Sequence, residues 1–122
     1  MKKIKSYVDA MVADRKKVQS DLANDFFKYN FEDFLSLKTE RNYKNEELLS
    51  FFTNIQLNLD SISKEEFTEY LTTIRKGYEK TRLVNNPINF STNPMTNIVR
   101  LWKFEVYADL IKHIDIMLNK CN

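Results

Sequence analysis

The chain holds one glycine and two prolines in 122 residues. At average usage it would carry about eight and about six. Tight turns consume these residues, because glycine supplies positive φ and proline presets the first turn position. A chain so poor in both lacks the material for many short strands, which excludes a β-sandwich, a β-barrel and a collagen-like fibre. It also excludes the phosphate loops G-x-x-x-x-G-K-[ST] and G-x-G-x-x-G, each of which needs at least two glycines. The expected fold is all-α: a single domain over residues 1–122, built as a bundle of four long helices plus one short helix.

The composition agrees with a folded domain. Hydrophobic residues make up 43% and aromatic residues 13%, with nine Phe, six Tyr and one Trp. That is enough apolar surface to fold without covalent staples. Nineteen basic against seventeen acidic residues leave a net charge of +2. Such a balance fits neither a disordered chain nor a strongly basic nucleic-acid protein. Cys121 is alone, so no internal disulfide and no cysteine-rich zinc site is expected. One thiol suits a cytoplasmic protein. The basic start, Met1 to Lys5, meets Asp9, Asp14 and Arg15 instead of an apolar run, so no secretory signal is expected. The most apolar stretch, 98–118, is broken by seven polar or charged residues from Arg100 to Asp115 and is not expected to span a membrane.

Apolar spacing locates the helices. Ile4, Val8, Met11, Val18 and Leu22 alternate at three and four, with Arg15 interrupting, and predict a helix from about Lys3 to about Tyr29. Phe31 to Leu37 reads as the short helix, and the polar run Lys38 to Lys44 as a connector. Leu48, Phe52, Ile55 and Leu59 predict the next helix. Ser63 and Glu66 fit a capping box that opens the fourth segment, whose stripe is Phe67, Tyr70, Leu71, Ile74 and Tyr78. Gly77 inside it marks a close helix crossing, a kink or an early end. Asn93 and Pro94 fit a helix cap followed by proline at the first helical position. The helix they start is apolar over so wide an arc that it is expected at the centre of the bundle.

Chemistry is harder to find. Glu105, Asp109 and His113 recur every fourth residue, which would place two carboxylates and an imidazole on one face. Lys112 lies on that face, and no second helix supplies a Glu-x-x-His partner, so a solvated stripe is the expected reading. His113 is the one histidine, and a nucleophile arrangement built on it would have only a terminal cysteine within reach along the chain. No enzyme activity, metal or cofactor is expected.

Surplus aromatic and apolar residues point instead to binding another protein. Tyr29, Tyr43, Ile88, Phe90 and Trp102 are the candidate contacts, with Ile88 and Phe90 carried on the asparagine-rich loop 85–93. The expected function is a small cytoplasmic regulator, inhibitor or immunity-type protein that occludes a partner surface. Heavy use of Lys, Asn, Ile and Phe suggests a phage or mobile element as the source. The alternative is a nucleic-acid-associated accessory or transcription-regulating protein, acting through Lys16, Lys17, Arg75, Lys76, Lys80 and Arg82 if the two basic clusters converge. Self-association into a homo-oligomer through the first helix's seam is a third reading.

Overall fold

Helical spacing becomes four α-helices in the computed structural model: α1 Lys2–Phe26, α2 Phe31–Asn58, α3 Lys64–Val84 and α4 Pro94–Cys121. The structure describes residues 1–26, 31–89 and 91–121, without the side chains of 26, 31 and 33–37. Among the described residues there is no strand, and two 3₁₀ turns, Leu59–Ser61 and Pro87–Asn89, complete the chain. The all-α bundle of four long helices is as expected. The short helix and the connector expected over 31–44 are instead one continuous run with the helix that follows, α2.

The reason α2 runs through its polar stretch is tertiary. The Lys44 ammonium donates to Glu40 one turn back at 2.8 Å and to Glu105 of α4 at 2.7 Å. Asn45, almost fully buried, donates to the backbone carbonyl of Arg15 in α1 at 2.9 Å. Contacts to two neighbouring helices therefore hold a segment whose own pattern is too polar to predict.

Cross-helix pairs fix the topology. Gln56 meets Asp9, and Asn45 meets Arg15, so α1 and α2 run antiparallel. Arg75 meets Asp115, and Arg82 meets Phe104, so α3 and α4 do likewise. Tyr43 faces Trp102 and Phe52 faces His113, which sets α2 parallel to α4. Helix α4 packs against each of the other three. Its fully buried residues begin at Val106 and continue to its end, as Val106, Leu110, Ile111, Ile114, Met117 and Cys121. All of them but Ile111 join one core cluster with Ile4, Val8 and Val12 of α1, Phe52 and Ile55 of α2, and Phe67 and Leu71 of α3. Ile4, Val8 and Met11 of the α1 seam thus pack inside the bundle, while Val18 is half-buried.

The capping box is formed. Ser63 Oγ accepts from the Glu66 backbone N–H at 3.1 Å, and a Glu66 carboxylate oxygen accepts from the Ser63 N–H at 3.2 Å. Gly77 does not end α3, which runs on to Val84, and no atom lies within 4 Å of the position a Cβ would take. It is not a crossing point. Gly77→Ala is therefore expected to raise unfolding stability by about 0.5–1 kcal/mol, the helical disadvantage of glycine. A urea titration measures it, and an unchanged or lowered midpoint would contradict the open environment.

Candidate interaction surface

The end of the bundle where α3 gives way to α4 is built by asparagines. Asn85 caps α3: its backbone N–H reaches the Thr81 and Arg82 carbonyls at 3.2 Å each, and its side-chain amide donates to Thr81 at 2.8 Å. Asn86 accepts from the Ile88 N–H, and Asn89 donates to the Leu83 carbonyl. Asn97 clasps Ser91 from both sides, accepting its N–H and donating to its carbonyl at 2.8 Å each. Asn93 accepts from the N–H groups of Met95 and Thr96, the first turn of α4, and Arg100 donates to the Asn89 carbonyl at 2.7 Å. Side-chain amides stand in for backbone partners throughout. Among the described residues these bonds tie the loop's backbone to its own asparagines and to the first turns of α4, while the Ile88 side chain is left outside.

Those apolar side chains gather here. Among the described residues, nine large hydrophobic side chains are exposed, and six of them fall between residues 83 and 99: Leu83, Val84, Ile88, Met95, Ile98 and Val99. Ile88 is 87% exposed and Met95 68%. Isolated exposed apolar residues are ordinary, whereas a concentration of them needs a reason. Helical geometry supplies one. At about 100° per residue, Met95, Val99 and Lys103 lie on the stripe that carries Val106, Leu110, Met117 and Cys121 further along α4. The core face of α4 therefore continues past the point where the bundle covers it. With Asn85, Thr96 and Arg100, the exposed Met95 and Val99 and the half-buried Lys103 line an open groove of about 380 Å³.

Of the residues expected to meet a partner, Ile88 is exposed at this end of the bundle, on the turn between α3 and α4. Tyr29 and Phe90 lie outside the described residues. Tyr43 and Trp102 are half-buried and face one another, with ring centroids 5.8 Å apart, so each is largely occupied within the bundle. Burial pushes the Tyr43 phenol above its ordinary value, helped by Glu47 and Tyr107.

The basic residues divide. Lys16 and Lys17 are exposed on α1, and Lys76 and Lys80 are exposed on α3. Arg75 is engaged through Nε to Asp115 at 2.8 Å and through Nη2 at 3.2 Å, with Glu79 adjacent. The Arg82 guanidinium lies 4.2 Å over the Phe104 ring. The two clusters thus sit on different helix pairs, and two of their arginines are held by α4.

Glu105, Asp109 and His113 also go separate ways. Glu105 holds Lys44, whose ammonium burial pulls down and whose bonds to Glu105 and Glu40 raise to a net increase. His113 is half-buried, hydrogen-bonded through Nδ1 to the Tyr7 hydroxyl at 2.5 Å and set edge-on to Phe52. The imidazole is therefore a packed group, unlike the solvated one expected. Burial lowers its pKa, Arg15 and Lys112 lower it further, and Asp109 pulls the other way. Among the described residues no group of three His, Cys, Asp or Glu side chains is placed to hold a metal. No helix among them is long and apolar enough to cross a membrane.

Leu83, Val84, Met95, Val99 and Lys103 were not singled out by the sequence. A stripe at helical spacing reads as core, and where its cover stops depends on the lengths of other helices. No protein-family model, curated protein or solved structure matches the chain.

Proposed function

We propose that this protein is a binding module that acts by covering the surface of another protein, in the manner of a small regulator or inhibitor. The observation that supports this reading is the gathering of six exposed apolar side chains at one end of the bundle. Exposed apolar concentrations on helical domains serve association, and the energy of such contacts centres on a few buried anchors. The internally bonded loop supports the same reading, since a preorganised surface loses little entropy on docking.

The test is capture from the native cell with the immobilised protein. One partner is expected in stoichiometric amount. The double variant Met95→Asp/Val99→Asp is expected to weaken capture by roughly tenfold or more, because two carboxylates would be desolvated without partners. Both side chains are exposed, so its thermal midpoint should stay near that of the parent. Recovery of chaperones alone, or undiminished capture by a folded double variant, would overturn the reading.

A further inference from the structure

The groove has a sign as well as an apolar face. Acidic residues occur about once in seven along the chain, yet none falls between residues 80 and 104. That stretch carries Lys80, Arg82, Arg100 and Lys103. Arg100 and Lys103 line the groove itself, beside Met95 and Val99. The nearest carboxylates in sequence are turned elsewhere: Glu105 to Lys44 and Glu79 to Arg75. Arg100 spends one donor on Asn89 and keeps the rest of its fork open, and Lys103 has no ion-pair partner among the described residues.

Each part of this arrangement narrows the occupant. The α4 wall from Met95 to Lys103 rises about 12 Å, a little over two helical turns. That length suits a partner helix presenting apolar residues at i, i+3 or i+4, and i+7. Cations on the same wall call for carboxylates flanking that apolar face. A phosphate backbone would satisfy the cations and leave Met95, Val99 and Ile88 wet. A bilayer surface would cover Ile88 and leave the concavity unfilled. Resting on the reading above, we infer that the groove takes an acidic amphipathic helix of the partner protein, with apolar side chains against Met95 and Val99 and carboxylates against Arg100 and Lys103.

The experiment is a selection from a displayed library of helical 16-residue peptides with randomised outward positions, against the full chain. Enriched peptides are expected to carry Asp or Glu beside an i, i+4, i+7 apolar stripe. A synthesised winner should shift the amide resonances of Asn85, Val99 and Lys103, and Arg100→Glu/Lys103→Glu should weaken it by tenfold or more. Raising the salt should weaken it as well. Enrichment of neutral or basic peptides, resonance shifts elsewhere, or no enrichment would overturn the inference. So would binding to phosphatidylserine vesicles or duplex DNA through the same residues without peptide enrichment. The two proposals fail separately. If the native partner is lost on Met95→Asp/Val99→Asp and kept on Arg100→Glu/Lys103→Glu, the surface stands and its acidic occupant falls.

Discussion

Phe52→Ala is expected to lower the free energy of unfolding by about 3–5 kcal/mol. The ring is fully buried at the meeting point of three helices. It packs edge-on against Phe51 at 5.0 Å between centroids, against His113 of α4 at 5.0 Å, and against Tyr7 of α1 at 6.0 Å. Truncation removes the transfer energy of the ring and leaves a cavity between rigid helices that cannot slide together to fill it. A domain of this size has roughly 5–15 kcal/mol in total, so the variant should lose a large fraction of its stability. Urea titration gives the value, provided the slope matches that of the parent. A loss under about 1 kcal/mol would mean that the aromatic joint is not where α1, α2 and α4 are held.

Acid is expected to loosen the same joint. The His113 pKa in the folded protein lies below its ordinary 6.5, chiefly through burial. Between those two values the unfolded chain holds a proton that the folded one does not. Stability is therefore complete above pH 6.5 and falls as pH drops towards the folded value. Structure gives the same answer. A protonated imidazole carries hydrogen on both nitrogens, so Nδ1 can then only donate to the Tyr7 oxygen, and its charge is opposed by burial, Arg15 and Lys112 and favoured by Asp109. His113→Gln should flatten this part of the pH profile. The comparison is the difference in urea midpoint between parent and variant from pH 7.5 down to pH 5. Two parallel profiles would show that the imidazole takes no part.

Much of this fold could be read from spacing, and the exceptions share one cause. Ser63, Glu66, Asn93 and Pro94 are local signals, and they start helices where expected. Residues 38–44 carry no apolar stripe and only one local helical signal, the Glu40–Lys44 pair, while the contacts that hold them, Lys44 to Glu105 and Asn45 to Arg15, span 61 and 30 residues. The surface follows the same rule. Ile88 was legible because it is apolar among asparagines. Met95 and Val99 were not, because their spacing matches that of the buried Val106 and Leu110. Tyr43 and Trp102 were singled out as candidate contacts, and their pairing with one another, across 59 residues of chain, is a tertiary fact that spacing does not carry.

The two antiparallel hairpins also set an order of events. Each closes over a short stretch of chain, where loop entropy is small, so α1–α2 and α3–α4 can pair early. The joint between them is held by pairs such as Tyr7 with His113, 106 residues apart, and it must close late. Late contacts govern how fast a folded protein comes apart more than how fast it forms. The lifetime of the native state therefore rests on the aromatic joint. The exposed apolar side chains between residues 83 and 99 are not among the contacts of that joint, so their identity is free to follow binding rather than the lifetime of the fold.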